Sequence, residues 1–331
     1  MKAIVHTSPQ GIEGMALQGF ESTVPKSGEV KIQLKSAGLN HRDLFVLTRH
    51  DEGEPPFVVG SDGAGVIVEA GANVNNVKVG DEVVINPSLN WYTKSPAPPE
   101  EFGILGFPSN GTFAEEVVIS AENVEPKPTH LNWTEAGVLP LAALTAYRAL
   151  FTRGNVQEGQ HVLLPGVGSG VITFILQFAK AVGAKVTVTS RSESKRQQAL
   201  ELGADRAIDS EGDWKEALND EKADLVIESV GAATFAKSLD RIKPGGTVVT
   251  FGASAGDEIS LNIRNFFYGQ YNLLGTTMGS RDEFREMLQF IKKYNIKPII
   301  DKTFSLEEAD IAFKRLEAAE QFGKIGFTIS K

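Results

Sequence analysis

Apolar and polar positions alternate in short runs over the first 125 residues. Examples are EVKIQLKSAG (29–38), GAGVIVEAG (63–71) and DEVVINP (81–87), which are separated by glycine, proline, asparagine and aspartate. A period of two that turn residues interrupt predicts short strands. We therefore expect a partly open, β-barrel-like domain in this part of the chain.

The pattern changes at His161. The apolar run HVLLPG (161–166) ends in glycine, VITFILQFAKAVGA (171–184) has the period of a helix, and KVTVTS (185–190) is strand-like again. This order repeats as far as TVVTFGA (247–253), which predicts an α/β fold with a Rossmann doubly wound parallel sheet over residues 126–267. Residues 1–125 and 268–331 should form the second, barrel-like domain, to which the last strand, KIGFTIS (324–330), returns.

The amino-acid composition disfavours or excludes several classes of function. The 331 residues include 42 acidic and 33 basic side chains, and the net charge of -9 disfavours a nucleic-acid partner. Because we find neither a membrane-length apolar stretch nor a secretion signal, we expect a cytoplasmic protein with no membrane partner. Cysteine is absent, which excludes thiolate catalysis, iron–sulfur clusters and zinc sites with sulfur ligands.

A glycine-rich segment, PGVGSGV (165–171), follows the first strand of the predicted Rossmann domain and precedes an apolar helix. In that context backbone N–H groups can approach a pyrophosphate at the positive helix N-terminus, whereas a plain turn is the alternative. The spacing GxGxG differs from the usual GxGxxG, so a bulkier residue must pack the helix against the strand. The residues expected to bind a dinucleotide here are Gly166, Gly168, Ser169, Gly170 and Val171.

The end of the next strand distinguishes NAD from NADP. An acid about 20 residues beyond the loop would bind the free ribose 2′-hydroxyl. Ser190 occupies that place, and Arg191 and Lys195 follow it. Because a hydroxyl and two cations can bind a 2′-phosphate that an acid would repel, we predict NADP(H) as the cofactor. The alternative is that both cations belong to a solvated helix start.

Five segments, in this order, resemble a known family: GLNHRD (38–43), GSDGAGVIVEAGANVNNVKVGDEVV (60–84), LTAYRAL (144–150), PGVGSGV (165–171) and FGKIGF (322–327). On these segments the chain resembles the medium-chain dehydrogenase/reductase superfamily over nearly its whole length. The resemblance implies a GroES-like catalytic domain, built from the N-terminal part and the C-terminal tail, and a Rossmann domain.

Zinc-dependent members of that superfamily hold a catalytic metal with cysteine, histidine and acidic ligands. The corresponding positions here are Asn40, Ser61, Asp62 and Leu141. Only the aspartate is a good zinc ligand, so the usual tetrahedral site is not expected. The chain is therefore most similar to the zinc-free, quinone oxidoreductase-like branch. A metal site outside the family pattern, using His41 and Asp43, is the alternative.

The resemblance implies roles for single residues. The catalytic candidates are Asn40, Tyr147 and Asp43. Asn40 is expected to face the nicotinamide, with a strand-end cap as the alternative, and Asp43 is common to the superfamily, so its role could be structural. Phe45 stands where quinone oxidoreductases often carry a tyrosine. The implied cofactor contacts are His41 and Lys324 at the pyrophosphate, Thr145 at the nicotinamide, and Val230, Phe251 and Gly252 at strand ends.

We therefore expect NADPH-dependent hydride transfer to quinones or α,β-unsaturated carbonyls, whose conjugation makes zinc unnecessary. One alternative is a zinc-independent alcohol dehydrogenase or carbonyl reductase. Another is a non-catalytic NADPH-binding structural or regulatory protein, which the scarcity of acid–base residues favours. The expected partners are a small-molecule substrate and a second copy of the chain, in a homodimer paired through FFYGQYNLLG (266–275).

Overall fold

The computed structural model describes residues 1–330, which form two compact units. The first unit consists of Met1–Ala142 and the segment that begins at Gly279, and the second unit is Ala143–Met278. Within residues 1–330, none of the helices has the length and apolarity needed to cross a bilayer.

The strands are β1 (Lys2–His6), β2 (Met15–Gly19), β3 (Glu29–Leu39), β4 (Phe57–Val58), β5 (Asp62–Ala70), β6 (Glu82–Ile85), β7 (Ser88–Leu89), β8 (Gly103–Ile104), β9 (Glu116–Ser120), β10 (Val124–Pro126), β11 (His161–Leu164), β12 (Lys185–Ser190), β13 (Arg206–Asp209), β14 (Ala223–Glu228), β15 (Ile242–Thr250), β16 (Asn272–Gly275), β17 (Ile300–Ser305) and β18 (Lys324–Thr328). The helices are α1 (His41–Arg49), α2 (Trp133–Gly137), α3 (Pro140–Tyr147), α4 (Gly170–Ala181), α5 (Glu193–Glu201), α6 (Trp214–Ala217), α7 (Ala232–Asp240), α8 (Ile263–Tyr268), α9 (Arg281–Lys293) and α10 (Ala309–Glu317).

The main sheet of the first unit has seven strands, in the order β10-β6-β5-β3-β18-β17, with β9 also paired to β3. Alternate residues of β3, namely Val30, Ile32 and Leu34, are fully buried in its core, which explains the period of two in the sequence. The C-terminal strand β18 pairs antiparallel with β3, as predicted.

Two register relations in this sheet position the polar site described below. Ile325 lies opposite Leu39 in the β18–β3 ladder, and Asp62 lies opposite Gly38 in the β3–β5 ladder. Glycine is required at position 38, because a Cβ atom there would lie 2.7 Å from the Cα atom of Val138. Polar residues adjacent to these pairs therefore meet at the C-terminal end of β3.

Aromatic rings fill the core beneath β18. Phe327 is fully buried, and its ring centroid lies 4.8 Å from that of Phe113. The Phe113 ring lies in turn 6.1 Å from Phe313 of α10. Packing of this kind ties the C-terminal segment into the first unit, because most of the surface of these rings is removed from water.

The second unit contains a sheet of six parallel strands in the order β13-β12-β11-β14-β15-β16. The chain moves outward from β11 to β13, and then starts again on the other side of β11 with β14. The reversal between β11 and β14 is the topological switch point of a doubly wound sheet. The predicted Rossmann fold is confirmed.

The unit boundaries lie later in the chain than 125/126 and 267/268, the positions given by the sequence pattern. Residues 126–142 stay with the first unit because α2 packs against β3 and β5. Residues 268–278 stay with the second unit because β16 extends its parallel sheet.

One helix, α1, lies in the region that we expected to contain strands alone. At its start the Asp43 N–H donates to the Asn40 backbone carbonyl at 2.9 Å, and the Asp43 carboxylate accepts from the backbone N–H of Asn40 at 2.8 Å, as the acid of a capping box does. A buried apolar face that includes Val46 and Leu47 follows the cap. The Asn-x-x-Asp spacing was present in the sequence as a helix-start signal.

Candidate active site

Three buried polar side chains meet at the end of β3. The Asn40 amide donates to Asp62 Oδ2 at 2.8 Å. Lys324 Nζ donates to Asn40 Oδ1 at 2.5 Å, to the Leu39 carbonyl at 2.9 Å and to Asp62 Oδ2 at 3.3 Å. Only 6% of Asn40, 3% of Lys324 and none of Asp62 is exposed. We call Asn40, Asp62 and Lys324 the buried triad.

The triad balances one negative and one positive charge. Burial raises the pKa of Asp62, and the nearby Lys324 ammonium and Asn40 amide oppose that rise. The second carboxylate oxygen, Oδ1, accepts from the Leu141 backbone N–H at 2.7 Å. Lys324 Nζ has three acceptors inside the first unit, one for each of its N–H groups, so its hydrogen-bonding capacity is filled there. A pyrophosphate contact by Lys324 remains a prediction from the resemblance.

A second polar cluster, adjacent to the triad, contains Asp43, Ser61 and Arg42. Arg42 Nη1 donates to Ser61 Oγ at 2.5 Å and to the Leu105 carbonyl at 2.9 Å, and lies 3.9 Å from Asp43 Oδ1. Ser61 Oγ is 3.3 Å from the same carboxylate oxygen. Burial raises the pKa of Asp43 to about 6, although Arg42 opposes the rise. The arginine was missed as a site residue, although it directly precedes the Asp of the first motif.

The catalytic zinc of the superfamily does not fit these residues. Asp62 is the one strong ligand of the four corresponding positions, and both of its oxygens accept hydrogen bonds. An ammonium group beside one of those oxygens would repel a divalent cation. His41 and Asp43 do not complete a site either, because residues 1–330 contain no group of three His, Cys, Asp or Glu side chains arranged for a metal. The His41 ring instead packs on Phe45, with 5.4 Å between centroids, and partial burial lowers its pKa.

In the second unit, the glycine loop connects β11 to α4. Gly166 and Gly168 have φ values of 77° and 129°, which favour glycine. Ser169 caps α4 and accepts from the Ile172 N–H at 3.3 Å, so Gly170 and Val171 form the first helical turn. N–H groups of a first turn have no intrahelical partner and suit an anion. The loop therefore fits a pyrophosphate.

The end of β12 presents polar and cationic groups. Ser190 is largely buried, and its hydroxyl accepts from the Ser192 N–H at 3.2 Å. Arg191 is exposed, and Lys195 lies in the first turn of α5. The structure adds Arg196, whose guanidinium donates to the Ser190 carbonyl at 2.7 Å and lies 3.8 Å from Asp209. The sequence pattern gave no reason to choose it over its neighbours.

The other predicted residues occupy separate parts of the second unit. Thr145 is buried and Tyr147 half-buried on α3, where the Tyr147 ring lies 4.9 Å from that of Phe151. Phe251 and Gly252 directly follow β15. Val230 follows β14 and lies against the glycine loop. The structure thus brings Asn40, Asp43 and Lys324 together in one unit and groups the loop residues with Val230 in the other.

Comparisons with known proteins match two family models to successive parts of the chain. The family described as alcohol dehydrogenase GroES-like domain matches residues 26–129, and the family described as zinc-binding dehydrogenase matches residues 167–293. The chain is 33% identical over 338 residues to the zinc-type alcohol dehydrogenase-like protein YogA of Leptosphaeria maculans, covering 94% of this chain and 93% of that protein. It is 31% identical over 309 residues to a crotonyl-CoA reductase of Streptomyces avermitilis, covering 84% and 69%. A crystal structure of an NAD-dependent alcohol dehydrogenase superposes with a TM-score of 0.92 at 33% identity, covering 100% of both chains.

A parallel sheet with a phosphate loop near its switch point, together with a GroES-like domain, defines a nicotinamide-dependent dehydrogenase or reductase. The chain belongs to the medium-chain dehydrogenase/reductase superfamily, as its motifs predicted, and is an NAD(P)-dependent oxidoreductase.

Proposed function

We propose that this protein is an NADPH-dependent reductase of quinones or α,β-unsaturated carbonyls that works without zinc. The observation that carries the proposal is the hydrogen bonding of Lys324 Nζ to both Asn40 and Asp62. The ammonium neutralises the one carboxylate that could have anchored a metal. The cation that hydrogen-bonds to Asp62 is therefore a lysine, which cannot bind a substrate carbonyl as a Lewis acid does.

This charge arrangement restricts the acceptor. A saturated ketone has no means of spreading the negative charge that develops on its oxygen, and its reduction would need a strong electrophile such as zinc. A quinone or an enone spreads that charge through its own double bonds, so hydrogen-bond donors are sufficient. The relative named crotonyl-CoA reductase fits this class, because a crotonyl thioester is an α,β-unsaturated carbonyl compound.

The donor proposed for the substrate oxygen is the Asn40 amide, which would exchange its long hydrogen bond to the Gly38 carbonyl, at 3.4 Å, for one to the substrate. Lys324 withdraws electron density from the amide oxygen, which makes the N–H groups of the same amide better donors. The Tyr147 hydroxyl, or a water molecule, is proposed to supply the proton. Bound NADPH supplies the hydride.

The preference for NADPH is part of the proposal. It is supported by Ser190 at the end of β12 and by three cations in the following segment, Arg191, Lys195 and Arg196. These groups favour a 2′-phosphate electrostatically, although the carboxylate of Asp209 on the neighbouring strand weakens the effect.

An alcohol dehydrogenase is the second candidate. It is favoured by the names of the fungal relative and of the NAD-dependent crystal structure. In that case NAD would be preferred and a saturated alcohol would be oxidised.

An absorbance assay at the nicotinamide wavelength separates these functions. The purified protein is given NADPH or NADH with a quinone, an enone and a saturated ketone, and in the reverse direction NAD or NADP with alcohols. We expect NADPH oxidation with the conjugated acceptors, and slower turnover in Asn40→Ala and Tyr147→Phe. Oxidation of alcohols with NAD would support the second candidate, and tight NADPH binding without turnover would indicate a non-catalytic protein.

We also propose a homodimer that pairs through β16. This strand lies at the edge of the parallel sheet, and Leu273 on it is 36% exposed. On the neighbouring helix α8, Ile263, Phe267 and Tyr268 are 64%, 50% and 72% exposed. An apolar edge of this kind is covered in most proteins. Light scattering should give twice the chain mass, and Phe267→Glu should shift it toward the monomer.

A further inference from the structure

Glu228, the last residue of β14, has a fully buried carboxylate that the proposed chemistry does not use. Oε1 accepts from the backbone N–H groups of Val230 at 2.7 Å and Gly231 at 3.2 Å. The hydroxyl of Thr234 lies 2.9 Å from Oε2, and that of Ser238 donates to Oε2 at 2.7 Å. Within residues 1–330, no lysine, arginine or histidine forms an ion pair with this carboxylate.

All of these donors are neutral, and all belong to the turn after β14 or to α7. Backbone N–H and hydroxyl donors that converge on a buried carboxylate satisfy its hydrogen-bonding capacity and keep it in one position. Glu228 is closed to solvent and its oxygens are engaged, so it is not suited to transferring protons. Its hydrogen bonds instead fix the conformation of the turn Ser229–Gly231.

That turn lies directly against the phosphate loop. A Cβ atom on Gly166 would come within 2.6 Å of Val230 Cγ2, so the two segments are in close contact. The other side of the turn is held by a hydrogen bond of 2.7 Å from the Ala255 N–H to the Val230 carbonyl. The turn is therefore fixed by Glu228 on one side and by the segment after β15 on the other.

The strand order shows which half of a dinucleotide this turn would contact. Ligands of doubly wound sheets lie across the carboxyl ends of the strands at the switch point, with one half on each side. β12, which ends in Ser190, flanks β11 on one side, and β14 flanks it on the other. If the adenosine half lies at Ser190, the nicotinamide half lies over the turn that Glu228 holds.

We propose that Glu228 is a positioning residue for the nicotinamide half of the cofactor, acting through Val230. The inference rests on the proposed NADPH function. It assigns to Glu228 an effect mainly on the nicotinamide end of the ligand. The turn contacts the phosphate loop at Gly166, but the hydrogen bonds of Glu228 reach neither Gly168–Gly170 nor the end of β12.

The test compares two ligands that differ by the nicotinamide. Dissociation constants of NADPH and of 2′-phospho-ADP-ribose, which lacks the nicotinamide ring, are measured by calorimetry for the wild type and for Glu228→Gln. The glutamine has the same shape but turns an NH2 group toward donors. We expect NADPH to bind about tenfold more weakly, the change typical of losing hydrogen bonds to a charged group. Binding of 2′-phospho-ADP-ribose should be weakened much less, because the turn contacts the phosphate loop at Gly166 but not at Gly168–Gly170.

A matched control is Asp213→Asn, which alters a carboxylate that caps α6 in the same unit by accepting from the N–H groups of Lys215 and Glu216. It should leave both dissociation constants unchanged. If Glu228→Gln fails to fold, Thr234→Val and Ser238→Ala each remove a donor to the same carboxylate. Each should weaken the binding of NADPH more than that of 2′-phospho-ADP-ribose, and by less than the tenfold expected for Glu228→Gln.

Equal weakening of both ligands, or of neither, would overturn the inference. The proposed cofactor is tested separately by the wild type. If the wild type prefers NADH, the proposed NADPH function fails, and the comparison of NADH with ADP-ribose then tests Glu228 in the same way.

Discussion

The electrostatic centre of the first unit is a buried ion pair, with the Arg42–Asp43 pair adjacent to it. Lys324 and Asp62 have 3% and 0% of their side chains exposed, and Asn40 bridges them. Such a pair contributes little net stability, but breaking it is costly because the remaining charge has no partner. The pair also keeps the Asn40 amide in one orientation, which is what its proposed catalytic role needs.

Removing the lysine should therefore destabilise the protein more than removing both charges. We expect Lys324→Met to lower the free energy of unfolding by about 3–5 kcal/mol, because it leaves Asp62 buried without a cation. The double variant Lys324→Met/Asp62→Asn should recover part of that loss. Urea unfolding of the two single variants and the double variant gives the coupling energy. A strictly additive result would contradict the pairing.

Asp43 should give the stability a distinct pH dependence. Its folded-state pKa of about 6 lies above the unfolded value of 3.8, so the folded state holds the proton more tightly. The stabilising contribution is complete below pH 3.8 and is lost as the pH rises through about 6.

Between pH 3.8 and about pH 6, the contribution of Asp43 to the free energy of unfolding should fall by about 2–3 kcal/mol. Asp43→Asn removes the titrating group, so the difference in melting temperature between wild type and variant should change between pH 4 and pH 6 and be constant above pH 7. A constant difference throughout would show that folding does not raise the pKa of Asp43.

Among the elements, β18 ties the C-terminal segment into the first unit. It comes from the end of the sequence, yet it lies between β3 and β17 and carries both Lys324 and Phe327. Its sequence, KIGFT, was predictable as a strand. Its register on β3 was not, because it depends on the packing of residues more than 280 positions apart, such as Lys324 and Asn40.

Truncation of the buried ring on this strand should be costly. We expect Phe327→Ala to destabilise the protein by about 3–5 kcal/mol, the range for a buried aromatic that leaves a cavity. The matched control is Phe267→Ala on α8, where half of the side chain is exposed; measured at a concentration where the protein is monomeric, its effect should be under about 0.5 kcal/mol. Equal effects of the two variants in thermal unfolding would contradict the described core.

The helix α1 shows why one element was missed. Its cap residues, Asn40 and Asp43, were interpreted as site chemistry, and the nine residues of the helix are too few for a clear period. Longer helices such as α4 and α9 were predicted because their apolar faces repeat over several turns. Local signals therefore identified most elements, whereas caps that also belong to a motif were ambiguous.

For the whole molecule, the sequence was sufficient for the fold class and the superfamily. The alternation of strand and helix patterns predicted the parallel sheet, and the glycine loop located its switch point. The buried triad could not be predicted, because no local pattern shows that the Lys324 ammonium lies beside Asp62 rather than at a cofactor. The same limit applies to Arg196 and Glu228, whose partners are determined by tertiary packing.

We propose that a site whose carboxylate is neutralised by Lys324, and which holds no zinc, reduces acceptors only when they are conjugated. The most direct measurement is NADPH oxidation with 2-cyclohexen-1-one and with cyclohexanone, each with and without a strong zinc chelator. We expect turnover of the enone alone, at a rate that the chelator does not change. Reduction of cyclohexanone that the chelator abolishes would contradict a zinc-free site.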